Sequence, residues 1–450
     1  MVVKKLFELS HSGSVLYITS DEASKWSLVH GQEVSVRFGC CVAPAALHVE
    51  EHRQRQRMSV LLRARLHFPS AYRGNLLYHA ERKEVQIGPL IGFLTMPQGG
   101  KSGAWDSNLY SGLQAAARHV DAFTYAFSPR DVDWSSRLVR GHYRGRGAVK
   151  QLIVPLADVI YNRVSNRSQE RTALYRHFLK RVADNKHPYL FNPHFFNKWQ
   201  VHRWLSSDGE VRQYLPETRL LGGVRDMERI VSRHGHAYVK PLGGSQGKGI
   251  VRVAGLKEGG YAVHYRTGAS NVLHYHANFA EAASEVLAAK ERRGYLVQQG
   301  LTLAKYRGST FDVRVTMHKQ GSGEWEVVGP AAKVAVTGAV TTHVHNGGRV
   351  YPLKKVLREV FPQHEADIFL RLVVASKKIA VALERACKLR LGELGLDLGI
   401  TPRGEVYLFE VNARPGRMVF APGWARKDGR HSLRCLTAFA HYAAGFGEVD

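Results

Sequence analysis

Cysteine is scarce in this chain. Four occur in 450 residues, as the adjacent Cys40 and Cys41 and the isolated Cys387 and Cys435. Neighbouring cysteines rarely pair with each other, and the spacing is not that of a zinc site. Reduced thiols in a cytosolic compartment are therefore the expectation. Long apolar runs are also missing. No stretch reaches the ~18 residues of a membrane-spanning helix. The opening MVVKKLFELSHSGSVLYITS lacks the apolar core of a secretory signal, so none is expected. Acidic residues are few: 38 Asp and Glu stand against 64 Lys and Arg, a formal net charge of +26. That excess points either to polyanionic partners or simply to a solvated basic surface. Stretches such as RLVRGHYRGRGAVK read as solvated loops or faces. No zinc-finger, basic-region or RNA-binding signature accompanies them, so nucleic acid stays open as a partner without being indicated.

What is present falls into three parts. The length exceeds one ordinary core, and a hydrophobic content of 44% fits a globular protein. Residues 1–87 carry short alternating runs (SVLYITS, EVSVRFG, NLLYHAERKEV) between turn residues, the pattern of a small β-rich domain. Residues 88–190 alternate GPLIGFLTM, WDSNLYSGLQAAARHV, DAFTYAFS and QLIVPLADVIYNR. Strand–helix–strand order of this kind predicts a parallel α/β unit, with Asp106 or Ser107 capping the helix. The loop PQGGKSGAW (97–105) is a weak ligand-loop signal. Residues 191–450 hold the informative motifs, with helices expected over 279–293 and over 356–391, the latter broken near Pro362.

Two stretches carry the chemistry. YVKPLGGSQGKGI (238–250) offers Gly243, Gly244, Gly247 and Gly249, and both Lys240 and Lys248. It satisfies neither the Walker nor the dinucleotide fingerprint, and alone it reads as a turn. Its flanks, HAYVKP and GIVRVAG, make it a strand–flap–strand loop that can close over phosphates. In GLDLGITPRGEVYLFEVNARPGR (395–417), a turn at Pro402-Arg403 places Asp397 opposite Leu408. It then lies diagonal to Glu410, on the face that Asn412 shares. Two carboxylates and an amide oxygen suit Mg²⁺; zinc would call for His or Cys, which this stretch does not offer.

In order and spacing, FNPHFFNKWQVHRWL, YVKPLGGSQGKGI, FDVRVTMHK and GLDLGI…YLFEVNARPG resemble the ATP-grasp superfamily, over about residues 190–425. They are most similar to its YheC/YheD-like, endospore coat-associated members. The resemblance implies an α/β (α+β ATP-grasp) fold: a β-rich N-terminal domain (1–87), a pre-ATP-grasp α/β domain (88–190), and an ATP-grasp domain (191–450) whose two α+β subdomains sandwich ATP. It implies Lys198 and Lys240 as nucleotide lysines, and Gly243, Gly244, Ser245, Gly247, Lys248 and Gly249 as the phosphate flap. Gln298 and Gln299 fall in the adenine hinge. Leu301 departs from the carboxylate many relatives set against the ribose. Asp312 is expected to orient Arg314 near the terminal phosphate, with Lys333 and Arg414 as further catalytic cations. Asp397, Glu410 and Asn412 would hold the metal. Asn346, Gly347, Gly348 and Arg417 would face the substrate, while His343 and His345 read as substrate or surface contacts.

The implied chemistry is ATP- and Mg²⁺-dependent ligation of a carboxylate to an amine through an acyl phosphate, in the cytoplasm, mother cell or spore coat of a spore-former. The basic excess adds an anionic peptide or polymer as the expected acceptor. The competing readings are an ATP-binding or non-catalytic structural coat protein, and an ATP-dependent phosphotransferase.

Overall fold

In a computed structural model the described residues form four β-sheets, some of whose strands alternate buried and exposed positions, as in Glu33–Phe38, while others are buried throughout, as in Leu90–Leu94. The structure describes residues 7–9, 13–50, 57–70, 72, 74–96, 108–145, 148–185, 187–244, 247–268, 270–288, 290, 294–336 and 347–447. The first sheet has seven strands, from Phe7–Leu9 to Glu84–Gly88. The second is built on the parallel strands Leu90–Leu94, Phe123–Phe127, Val159–Asn162 and Tyr189–Phe191. The expected helix runs Asn108–Ala117, while its cap at Asp106 or Ser107 and the 97–105 loop lie outside the described residues. QLIVPLADVIYNR supplies two strands rather than one, Val149–Pro155 and Val159–Asn162, because the chain turns at 156–158 to change neighbours.

The third and fourth sheets position the site. The third is antiparallel, in the order Thr218–Leu220, Tyr295–Gln299, His236–Pro241, Val251–Gly255, Tyr261–Thr267 and Ser270–His276. Helices Val224–His234 and Phe279–Ala288 cover one face through Met227, Ile230, Ala282 and Val286. The fourth runs Arg349–Pro352, Trp325–Val334, Ser309–Lys319, Glu393–Ile400 and Val406–Asn412. It packs on helices Lys198–Ser206 and Glu365–Cys387 through Leu205, Leu372, Ile379 and Leu383. Helix Leu353–Val360 ends before Pro362, where the break was expected. No helix among the described residues is long and apolar enough to cross a membrane.

Buried polar groups lock the second sheet to the fourth. Asn192 is fully buried in a left-handed conformation, φ +55°, which Asn tolerates better than most residues. Its Nδ2 donates to the carbonyls of Glu393 and Ala413 at 2.7 and 2.5 Å, and its Oδ1 accepts from the amides of Gly392 and Glu393. Arg163 pairs with buried Glu393 at 2.9 Å, and Tyr161 donates to the same carboxylate. Asn192→Ala strands four backbone groups, so a stability loss of roughly 3 kcal/mol is expected in urea unfolding. A loss below about 0.5 kcal/mol would show that this latch does not hold the parts together. The last helix, Arg426–Ala443, adds a second tie by packing Leu436 and Phe439 against Ile91 and Phe93 of the second sheet.

Candidate nucleotide and metal site

The uncovered faces of the third and fourth sheets enclose a cavity of about 350 Å³. Period two on the strand His236–Pro241 sends Ala237 and Val239 into the helix-covered core and His236, Tyr238 and Lys240 into the cavity. Ile250, Arg252 and His264 extend that wall, and Gln298, Gln299, Leu301 and Leu303 line the crossing between the sheets. The opposite wall holds Lys305, Thr310, Asp312, Asp397, Phe409 and Glu410. Charged and apolar groups are interleaved along it: the Tyr238 and Phe409 rings flank Lys240, and Leu301 and Leu303 lie among the polar residues of the crossing.

The glycine stretch is a loop between antiparallel strands, His236–Pro241 and Val251–Gly255. Gly247 and Gly249 both have φ +73°, a conformation costly for a residue with Cβ. The loop is tied to the start of helix Lys198–Ser206, which Asn197 caps by accepting from the Trp199 amide at 2.9 Å. Lys198 donates its backbone amide to Leu242 and its Nζ to the Gly244 carbonyl at 2.9 Å. The same Nζ lies 3.2 Å from Glu410. Lys248 is exposed and is not part of the cavity wall. Ser245 lies outside the described residues.

The carboxylate hairpin corrects the expected register. Asp397 pairs directly with Glu410, not with Leu408. The loop is wider by one residue than a turn centred on Pro402-Arg403: Ile400 pairs with Val406, and Thr401 donates its amide to the Glu405 carbonyl at 3.0 Å. Phe409 is then an extra residue, a bulge. The two offsets sum to an even shift, so Asp397, Glu410 and Asn412 keep a common face. The bulge also lets adjacent Phe409 and Glu410 both reach the cavity. Gly399 makes room for this ring, since a Cβ there would stand 2.3 Å from Phe409 Cζ.

A buried ion network backs this face. Arg314 grips Asp397 with two bonds, Nε to Oδ1 and Nη2 to Oδ2, each 2.8 Å. Lys333 Nζ donates to Asp397 Oδ1 at 2.8 Å and lies 3.1 Å from Asp312 Oδ1. The sequence set Asp312 against Arg314; the bidentate partner is Asp397 instead. Arg314 faces Asp397 and Asp312 faces Lys333 directly across strands. Positions i and i+2 along one strand are farther apart than such facing pairs. Burial alone would raise the Asp397 carboxyl, but Arg314 and Lys333 hold it far below the usual carboxylate range. Arg314 and Lys333 do not line the cavity; they stand behind Asp397.

The oxygen donors fit a hard divalent ion. Glu410 faces the cavity, Asn412 Nδ2 lies 3.4 Å from Asp397 Oδ2, and among the described lining residues there is no Cys and the two histidines, His236 and His264, are on the third sheet rather than beside Asp397 and Glu410. Both Asp397 oxygens are engaged by cations, so Glu410 and Asn412 are the donors with the most capacity left. Four cations (Lys198, Lys240, Arg314, Lys333) meet three carboxylates (Asp312, Asp397, Glu410) here, leaving the region electropositive.

Lys240 is held at the centre. Its Nζ donates to Gln298 Oε1 at 2.5 Å and stands over the rings of Phe409 and Tyr238 at 5.5 and 5.6 Å. Burial, with Lys198 beside it, pulls this ammonium down to about 8 despite Glu410, Asp397 and Asp312. The lowered value means the proton is lost as pH rises through about 8, and an anion at Lys240 restores it. Affinity for a polyphosphate should therefore fall from about pH 7 to about pH 9, and binding near pH 8.5 should take up a proton. Lys240→Arg should remove the pH dependence. Calorimetry in buffers of different ionisation enthalpy measures this, and an unchanged slope in Lys240→Arg would exclude Lys240 as its source.

Other expected residues are placed as follows. Gln299 donates its amide to the Glu217 carbonyl and accepts from the Glu217 amide, so it anchors the edge strand as well as lining the cavity. Leu301 is in the wall. Arg414, expected as a catalytic cation, is buried and does not line the cavity: one terminal nitrogen pairs with Glu170, and its guanidinium stacks 3.9 Å from the Phe195 ring. Its Nε and Nη1 have no hydrogen-bond partner among the described residues. Arg417 donates to the Gly429 carbonyl and stacks on Phe420, away from the cavity. Gly347 and Gly348 lead into the edge strand Arg349–Pro352 and do not line the cavity. Asn346, His343 and His345 lie outside the described residues. The sequence reading missed Tyr238, Arg252, Lys305 and Phe409; strand alternation from Lys240 would have found Tyr238.

Comparison with known proteins adds the following. A family model described as YheC/D-like ATP-grasp matches residues 188–443. Endospore coat-associated protein YheD of Bacillus subtilis (strain 168) is 31% identical over 365 residues, 78% of this chain and 78% of that protein. Endospore coat-associated protein YheC of the same organism is 21% identical over 224 residues, 49% of this chain and 60% of that protein. Among solved structures, D-alanyl-alanine synthetase A from Vibrio cholerae aligns with a TM-score of 0.47 at 13% identity, covering 79% of this chain and 98% of that one.

Proposed function

Because the chain belongs to the YheC/D-like ATP-grasp family, we propose that it is an ATP- and Mg²⁺-dependent ligase joining a carboxylate to an amine through an acyl phosphate. The observation that carries this reading is the cavity itself. Tyr238, Leu301, Leu303 and Phe409 offer apolar walls for a purine, and Lys240, Lys198, Glu410 and Asp397 line the same cavity. Glu410 and Asn412, with Asp397, would hold a divalent ion, which would supply charge neutralisation for the triphosphate.

Lys240 and Lys198 bind and orient phosphate oxygens. Arg314 and Lys333 fix Asp397 and place positive potential behind it, which lowers the repulsion between an incoming carboxylate and the triphosphate. The carboxylate oxygen bonds to the terminal phosphorus as the bond to ADP breaks; an amine then displaces inorganic phosphate and forms the amide. The 238–250 loop, tied at Gly244 to Lys198, closes the site against water. Arg414, buried against Glu170 and Phe195, supports the chain just beyond Asn412 rather than reaching the cavity. The +26 charge fits an acidic peptide or polymer as substrate.

The test supplies MgATP, a glutamate-rich peptide labelled with ¹⁸O in its carboxylates, and mixed amino acids. Label in released phosphate, together with a new amide, is the expected result. A stable phosphoester would indicate a phosphotransferase, and ATP binding without turnover would indicate a structural protein. Equal turnover of neutral and acidic peptides at low salt would remove the anionic acceptor.

A further inference from the structure

Outside the cavity wall, three chemically different side chains meet on the fourth sheet. Glu326 projects from the strand Trp325–Val334, and His431 and Cys435 project one turn apart from the last helix, Arg426–Ala443. His431 Nε2 lies 3.0 Å from Glu326 Oε1, Cys435 Sγ lies 3.4 Å from Glu326 Oε2, and Sγ lies 3.6 Å from the same Nε2. Cys435 is buried, whereas His431 is half exposed and Glu326 partly so.

These separations are close to the edges of a coordination tetrahedron. With zinc bonds of about 2.3 Å to sulfur, about 2.05 Å to imidazole nitrogen and about 2.1 Å to carboxylate oxygen, donor–donor distances come to about 3.4–3.6 Å. The Sγ–Nε2 separation already matches, whereas the two carboxylate contacts are made by different oxygens, Oε1 to Nε2 and Oε2 to Sγ, so the Glu326 carboxylate must turn to present one oxygen to both. The donors come from a strand and a helix, elements rigid enough to hold a site. Mixed sulfur, nitrogen and oxygen donors suit zinc and exclude Mg²⁺ or Ca²⁺ as the preferred ion.

We propose that Glu326, His431 and Cys435 form a zinc site, with its fourth position open to solvent on the His431 side. As a hydrogen-bonded triad, Glu326 accepts from both neighbours. Binding replaces that triad: the Cys435 thiol gives up its proton to solvent, the imidazole binds in neutral form, and Zn²⁺ takes the three lone pairs. The thiol is otherwise inert, because burial and the Glu326 charge beside it both push its pKa up. The site staples the last helix to the fourth sheet. Since the same helix packs on the second sheet, zinc would stiffen the junction between the two. The other three cysteines play no part in it.

The experiment uses the full chain stripped with chelator, then titrated with CoCl₂ and ZnCl₂ under reducing conditions. One equivalent of cobalt should bind, with a thiolate-to-cobalt charge-transfer band that zinc displaces. Cys435→Ser should abolish the band, and a Cys40→Ser, Cys41→Ser, Cys387→Ser triple variant should keep it. His431→Ala, changed at a half-exposed position, should weaken zinc binding at least about tenfold and cancel the rise in Tm that zinc gives the parent chain. No metal bound by the parent chain, a band that persists in Cys435→Ser, or unchanged affinity in His431→Ala would overturn the proposal.

Discussion

Asp397→Asn is expected to cut ATP turnover by at least about a hundredfold and to cost the fold about 3–5 kcal/mol. The reason is the company it keeps. Asp397 is almost fully buried and carries the Arg314 fork and the Lys333 bond. An amide leaves two buried cations facing one remaining carboxylate, Asp312, and removes a donor from the metal face. The pH dependence has a definite sign. A carboxyl held below its unfolded value contributes stability above about pH 4 that disappears as pH falls further. The variant should lose that part of the acid limb. Adding Lys333→Met to Asp397→Asn should restore part of the stability, because the buried charge then falls, but not the turnover. Urea unfolding and ADP release measure the two effects. A stability change within about 0.5 kcal/mol would mean that the network is not the support described here.

Lys240→Ala should weaken ATP binding by about 10- to 100-fold, the range of a charge-assisted hydrogen bond, while Lys248→Ala should change it less than about threefold. Both lysines belong to one glycine-rich stretch, but the structure separates them. Lys240 is fixed between Gln298, Tyr238 and Phe409 inside the cavity. Lys248 is exposed on the loop. Equilibrium dialysis with labelled ATP decides between them, and the reverse order would place the phosphates at the loop tip instead.

The donor face was legible in the sequence for a reason that can be stated. Alternation fixes sides of a strand modulo two, so a wider loop and a bulge at Phe409, each worth one residue, left Asp397, Glu410 and Asn412 together. The partner of Arg314 was not legible, because cross-strand pairing with Asp397, 83 residues away, is a property of register between distant strands. The Asn192 latch and the Glu326–His431–Cys435 triad escaped for the same cause: their partners lie about 200 and 109 residues away in sequence. Cysteine spacing alone hid the triad, since its other donors are a histidine and a glutamate. The glycine loop was legible through what it failed to match, and its flanking strands did the rest.

The most direct measurement is a crystal structure of the chain with Mg²⁺ and a non-hydrolysable ATP analogue. The purine should lie against Tyr238, Leu301 and Phe409, the triphosphate at Lys198 and Lys240, and the ion on Glu410 and Asn412. A nucleotide bound elsewhere, or a metal that ignores both of those residues, would contradict this placement.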